Sequence, residues 1–357
     1  MVKILHAADF HLDSAFGALS EERARQRRQE CRQLVGRLVD YANDHGADMM
    51  LLSGDLFDGE RVYAQTTEEL AAALGRFHGP VIIAPGNHDP YTHRSPYARE
   101  LWPENVHIFT QNTIETLEFP QYGCTVYGAA FASAESGEPE NFTAEGEGVK
   151  LLVLHGDVGS AGSRYRSLTG AWLEHTGVDY AALGHVHEHR GVQYAGGTAY
   201  AYPGCPEGRG FDELGEKGFL FGTVDKGQVD LQFIPFARRR YEILAVDVTD
   251  ADAVQLAFDA LRGREEDIVR LILTGEVDET PDAARLQEHL ADLCWQLEVR
   301  DETRTRQDLW RGCGEDSLRG LFLADLREEY DRADEKGRAA IEQAVRFGLA
   351  AMENREV

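Results

Sequence analysis

Basic residues are scarce in this chain: Lys+Arg number 36 against Asp+Glu 62, leaving a formal net charge of -26. Composition alone therefore argues against a protein that grips polyanions through a general excess of cations, because that affinity comes from Lys and Arg displacing counterions. It favours a soluble protein with an acidic surface. Cysteine is scarce as well. The five (Cys31, Cys124, Cys205, Cys294 and Cys313) are odd in number, widely spaced and without a C-x-x-C pair. That excludes a disulfide framework and a thiolate zinc site, and it fits a reduced, cytoplasmic chain. Long apolar runs are missing: none approaches the roughly 20 residues of a membrane-spanning helix. The opening MVKILHAADFHLD turns polar too soon for a signal peptide. No membrane association is expected.

What the chain does have is 357 residues, 43% of them hydrophobic, enough for one large domain with an appendage or for two or three small ones. Its first half repeats one pattern, a short apolar run followed by a polar cluster. VKILHAA precedes Asp9 and His11, ADMMLLS precedes Gly54 and Asp55, and PVIIAP precedes Asn87 and His88. VKLLVL precedes His155, and DYAALG precedes His185 and His187. Runs of this kind predict strands buried on both faces. Between the first two lies a helix with Ser20 as its cap, Glu21 and Glu22 in its first turn and Gly46 beyond its end. Two stretches, SAESGEPENFTAEGEG and CPEGRGFDELGEKG, read as polar loops. After residue 238 the texture changes: YEILAVDV, DIVRLILTG and WQLEVRD read as strands with helices between them. The expected division is a catalytic domain over 1–238, an α+β capping domain over 239–303 and a helical tail over 304–357. Twelve of the thirteen histidines precede residue 190, which places the chemistry in the first domain.

Five clusters carry that chemistry: Asp9-x-His11, Gly54-Asp55-x-x-Asp58, Gly86-Asn87-His88-Asp89, His155-Gly-Asp157 and Gly184-His185-x-His187. Ligands gather beyond the carboxyl ends of strands in α/β sheets, so the clusters are expected on one rim. Together they offer Asp, His and Asn side chains and no thiolate, a mixture that suits Mn²⁺, Fe²⁺ or Zn²⁺ better than an all-oxygen cage. The donors suffice for two metal ions, an arrangement that clamps phosphoesters. Gly54, Gly86 and Gly184 stand where the backbone must turn sharply or approach another segment. The single residue between the ligands of D-x-H and H-x-H is expected to keep both side chains on one side of an extended backbone.

In this order the clusters resemble the calcineurin-like metallophosphoesterases, over roughly residues 3 to 235. The resemblance implies an α/β fold, a four-layer α/β/β/α sandwich of two mixed sheets, and a dinuclear centre. Asp9, His11, Asp55 and His187 would hold one metal, and Asp55, Asn87, His155 and His185 the other, with Asp55 bridging. His88 matches the catalytic histidine of the family, and Asp89 is expected to orient it. ILHAADFHLDS, LLSGDLFD, LGHVHEHR and YAYPGCPE are similar to the SbcD-type nuclease subunits of DNA double-strand-break repair complexes. That similarity implies a Mn-dependent exonuclease or endonuclease acting on DNA beside an SMC-like coiled-coil ATPase of SbcC type, with Fe or Zn as alternative metals and a homodimer compatible with it. The chain departs from the pattern in having Asp58 where relatives often have His, and Cys205 where many have Ser.

Plainer expectations stand beside these. His6 is read as a buried, hydrogen-bonded strand residue, His189 as a neighbour of the site or a solvated residue, and Asp58 and Asp157 as supporting or turn residues. His93 and Arg94 would meet phosphate or only water. The basic run RARQRR and Arg238 to Arg240 are read as a charged helix face and a linker. The rival functions are a phosphodiesterase for a small nucleotide and a scaffold for the ATPase.

Overall fold

A computed structural model describes residues 1–159, 162–306 and 308–352. Two six-stranded mixed sheets dominate it. In the first the order is Gln228–Pro235, Gly218–Asp225, Val2–Ala7, Met49–Leu52, Val81–Ile83, Val106–Ile108, and the last four strands run parallel. In the second it is Gln193–Ala195, Thr198–Ala201, Tyr180–Gly184, Val149–His155, Cys124–Gly128, Glu115–Phe119. There the four inner strands are parallel and both edge strands antiparallel.

The apolar runs explain this layering, because successive side chains of a strand point to opposite faces. Val2, Ile4, Met49, Leu51 and Ile82 of the first sheet meet Val126, Leu151, Val153, Tyr180 and Ala182 of the second in one buried core. Their neighbours Leu5, Met50, Leu52 and Ile83 face away and pack on Leu34, Val35 and Leu38 of the helix Glu21–Asp44. On the outer face of the second sheet, Leu152, Leu154 and Ala181 meet Trp172 and Leu173 of the helix Gly170–Thr176. The result is the four-layer α/β/β/α sandwich expected. Ser20 caps the long helix as its sequence suggests, its hydroxyl accepting from the Arg23 amide.

By its internal contacts the chain falls into two compact units. The first holds residues 1–244 with 261–270 and 290–298; the second holds 245–260, 271–289 and the described residues from 299 onward. Tyr241–Asp247, Arg264–Thr274 and Cys294–Asp301 form a three-stranded sheet in that order. In the second unit the helices Leu318–Arg332 and Glu335–Met352 pack through Leu323 and Val345. No helix among the described residues is long and apolar enough to cross a membrane, and the cysteines are unpaired.

The basic run in the first helix is not a plain solvated face. Arg27 is fully buried and pairs with Glu30 at 2.8 Å and Glu207 at 2.9 Å. Arg239 is buried beside it, binding Glu30 at 2.7 Å and lying over the Trp295 ring at 4.3 Å. Glu207 also accepts from the Arg238 and Arg239 amides. Burial alone would raise the Glu30 carboxyl, but its bonds to Arg239 and Arg27 hold it below its ordinary value. Such a group adds stability above its unfolded pKa that is lost as pH falls through the folded one. We expect Glu30→Gln to cost about 3 kcal/mol at pH 7, since it takes the shared carboxylate from two buried cations, leaving Arg27 only Glu207 and Arg239 only the exposed Glu266 among the described residues. In urea melts the gap from wild type should narrow below a pH of about 4; a pH-independent gap would show that the charge is not what matters.

Candidate metal centre

The polar clusters do gather where parallel strands end, but on turned backbone. Eight non-glycine residues have positive φ among the described residues, and four of them are candidate ligands: Asp9 (57°), His11 (44°), Asp55 (50°) and His185 (116°). That conformation is unfavourable for L-residues and collects at functional sites. It also corrects the expectation of an extended D-x-H and H-x-H: turns, not strand alternation, aim these side chains. The turns are cross-tied. The Asp9 amide donates to the Gly54 carbonyl at 3.0 Å and the His11 amide to the Asp55 carbonyl at 2.9 Å. The His185 amide donates to the Asp9 carboxylate at 3.0 Å. The three glycines are needed for close approach. A Cβ at Gly54 would lie 2.7 Å from His155 Nδ1, one at Gly86 would collide with the Asp55 carboxylate, and one at Gly184 with the Ser53 carbonyl.

Asp9, His11 and His187 form one cluster of donor atoms; Asp9, Asp55 and His155 form a second. The Nε2 atoms of His11 and His187 face each other at 3.2 Å. An Asp55 oxygen reaches both sides, 3.6 Å from His11 Nε2 and 3.3 Å from His155 Nε2, and Asn87 Oδ1 lies 2.9 Å from the same His155 nitrogen. Asp55 thus lies between the two clusters, the position a bridging ligand needs. His185 stands apart from both: its ring packs against that of His155, 5.3 Å between centroids. A third cluster joins His11, Asp58 and the exposed His88.

The electrostatics call for a cation. Asp9 and Asp55 are buried among imidazoles. Burial lifts the Asp9 carboxyl to about 6. Burial pushes Asp55 the same way, but the charge of His155 wins and holds it below the ordinary range. His155 resists the lowering effect of burial, and its neighbours Asp55 and Asp9 raise it to about 9. Without a metal, a proton on His155 does part of a metal's work. Burial lowers His11 and His185 to about 4, so both present neutral nitrogens at pH 7. Two buried carboxylates, three imidazoles and an amide fit a divalent cation of intermediate hardness. Burial keeps the nearby Cys205 thiol far above its ordinary value, and so protonated.

The ligand rings are held from behind, as metal-binding histidines usually are. His11 Nδ1 bonds Asp58 at 3.2 Å, His155 Nδ1 donates to the Ser53 carbonyl at 2.9 Å, and His187 Nδ1 bonds Glu213 at 2.7 Å. Asp58 therefore holds the ring of a candidate ligand from behind. Glu213 and its partner Arg209 went unforeseen. They lie in a glycine-rich loop with no periodicity, and nothing in their spacing marks them.

Asp89 requires a correction. Its carboxylate is fully buried and accepts from the amides of Gly86 (2.8 Å), Asp55 (3.2 Å) and Phe57 (3.1 Å) and from Tyr97 Oη at 2.5 Å. It pins the two ligand-bearing turns together; no bond to His88 exists among the described residues. His88 is instead placed by its amide, which donates to Asp55 Oδ1 at 2.9 Å, and by its ring edge against His11, 4.7 Å between centroids. His6 is buried between Tyr180 Oη (2.8 Å) and Ser53 Oγ (3.1 Å), as expected. His189 stacks on Phe233 and bonds the Tyr202 carbonyl. Asp157 is half-buried, and His93 and Arg94 are exposed.

Comparison with known proteins agrees with this geometry. Residues 2–189 match the calcineurin-like phosphoesterase family. The chain is 30% identical to an uncharacterized metallophosphoesterase, YhaO, of Bacillus subtilis, over 92% of this chain and 87% of that protein. It is 28% identical to the DNA double-strand break repair protein Mre11 of Saccharolobus solfataricus, over 62% of this chain and 60% of that protein.

Because Asp55 touches both clusters, Asp55→Asn should weaken metal binding at both, by at least about tenfold, with circular dichroism unchanged. Calorimetric titration of the metal-free protein measures this; wild-type affinity in the variant would remove Asp55 from the centre.

Proposed function

The chain belongs to the calcineurin-like phosphoesterase family, hydrolases of phosphoesters, and from that premise we propose that it is a Mn-dependent DNA exonuclease and endonuclease subunit. The observation that carries this reading is the pair of clusters sharing Asp9, with exposed His88 at their edge. Asp9, His11, Asp55 and His187 would hold one ion, and Asp55, Asn87 and His155, with His185 beside them, the second. Bound divalent ions supply Lewis acidity toward the phosphoryl oxygens and lower the pKa of water.

The chain's own residues do the rest. Asp9 and Asp55 would supply the negative charge that holds the ions, and Nε2 of His11, which burial keeps neutral at pH 7, and Nε2 of His187 would complete the set. Of the histidines in the five clusters, His88 is the one that is exposed. Tethered through its amide, it can carry a proton on a ring nitrogen and hand it to the leaving oxygen of the cleaved phosphodiester. Its ring meets that of His11 in a T-shaped contact, 4.7 Å between centroids.

Two observations support DNA as the substrate. One is the likeness to Mre11. The other is that Arg94 and Arg99, which follow His88 in the chain, and Arg61 are exposed, with no hydrogen bond or ion pair to their guanidinium groups among the described residues. In a chain of charge -26, unengaged cations are where phosphates would be met. For a partner we propose a coiled-coil ATPase of SbcC type in the cytoplasm. Support comes from Leu318 (76% exposed), Leu321 (64%) and Phe347 (49%) on the last two helices, apolar side chains that a partner could cover.

Purified protein with Mn²⁺ should degrade linear DNA, and His88→Asn should lower the rate by about 100-fold or more while metal content stays unchanged. Activity confined to cyclic nucleotides would sink the nuclease reading, and wild-type rates in the variant would remove His88 from its role. Leu318→Asp with Leu321→Asp in the full chain should abolish co-purification with the ATPase and leave hydrolysis of bis(p-nitrophenyl) phosphate intact; retained association would refute that surface.

A further inference from the structure

One guanidinium lies between the two carboxylates that stand behind the facing imidazoles. Arg209 Nη1 donates to Asp58 Oδ1 at 3.3 Å, and its Nη2 donates to Glu213 Oε1 at 2.7 Å. The same Asp58 oxygen receives His11 Nδ1, and the same Glu213 oxygen receives His187 Nδ1. Each ring thus turns Nδ1 to a carboxylate and Nε2 to the other ring, and Arg209 Nη2 also lies 3.2 Å from His187 Nδ1. The two Nε2 atoms face each other 3.2 Å apart, close enough to serve one cation together.

Each link depends on the next. His187 is a half-exposed residue on a turn, and its backbone carbonyl is held from the same loop, by the Cys205 amide at 3.4 Å and Lys217 Nζ at 3.3 Å. The Arg209 amide donates to Glu213 Oε2 at 2.8 Å and its Nε to the same oxygen at 3.4 Å, so Arg and Glu form one rigid pair within the loop. Asp58 is 37% exposed and would otherwise be free to turn toward water; its contact with Arg209 sets its direction. A planar fork can engage two carboxylates in fixed directions, whereas an ammonium acts as a point charge.

We infer that Arg209 is a positioning residue, which locks Asp58 and Glu213 together so that His11 and His187 present Nε2 to one shared metal ion. This rests on the reading of Asp9, His11 and His187 as a metal set. Arg209 is not assigned to substrate, because its Nε, Nη1, Nη2 and backbone amide are all engaged within the chain, by Asp58, Glu213 and the His187 ring.

The test is calorimetric titration of the metal-free full chain with Mn²⁺, alongside its thermal melt. Wild type should show two binding classes. Arg209→Lys and Arg209→Gln should each weaken one class by about tenfold or more and leave the other unchanged, with the metal-free melting temperature within a few degrees of wild type. Glu213→Gln should reproduce the selective loss without touching Arg209. Equal weakening of both classes with a collapsed melt would assign Arg209 a merely structural role. Unchanged binding with a raised KM for bis(p-nitrophenyl) phosphate would make it a substrate clamp; either result overturns the inference. A wild type without metal binding would overturn the metal reading itself, and is thereby distinguishable from a failure at Arg209.

Discussion

Two carboxylates buried side by side form the constraint on which the rest of this site depends. Among the described residues, Asp9 and Asp55 are met by imidazoles and by backbone amides, and no lysine or arginine pairs with either. Burial of ionised groups is costly unless something neutralises them, and His155 does so in part by keeping its proton to about pH 9. A protein optimised for stability alone would not assemble this. The left-handed backbone at four candidate ligands is a second departure of the same kind. Both are expected of a site shaped around a bound cation.

Such strain persists only where surrounding structure over-determines it, and two arrangements do so here. Asp89 ties the Asp55 and Asn87 turns into one body through three backbone amides, and the parallel strands before them are buried on both faces. On the other side the loop carrying Arg209 and Glu213 is itself anchored by Glu207, which lies in the buried network of Arg27, Glu30 and Arg239. The orientation of His187 therefore descends, contact by contact, from ion pairs in the first helix. Ion pairs buried this deeply are weak evidence for stability, and their use here is directional.

The two sheets and most candidate ligands are legible in the sequence because each candidate follows an apolar run directly. Strand and donor are neighbours in sequence, so a local reading finds both at once. The long helix was legible for the same reason, through its cap and its spacing. What escaped is set by contacts between distant residues. Glu213 acts on His187 from 26 positions away, Arg209 on Asp58 from 151, and Arg27 on Glu207 from 180. Asp89 was misassigned because adjacency to His88 suggested a partnership. A one-residue step on a turn sent its side chain inward to the backbone instead. The D-x-H spacing was read as strand alternation when positive φ does the aiming; D-x-H identifies the residues without fixing the path between them.

Net charge argues against a polyanionic substrate, but a total over the chain is a poor guide to one site. Glu30, Glu207 and Glu213 are buried opposite arginines, while Asp9 and Asp55 face the centre, so neither group speaks for the surface a substrate meets. Around His88 the balance differs: Arg61, Arg94 and Arg99 are exposed and unengaged among the described residues. Exposed charges beyond about 10 Å are screened at moderate salt. What a ligand meets at His88 is therefore set by the groups around that residue, Asp58 and the charge of the centre among them, and a sum over the whole chain does not measure it.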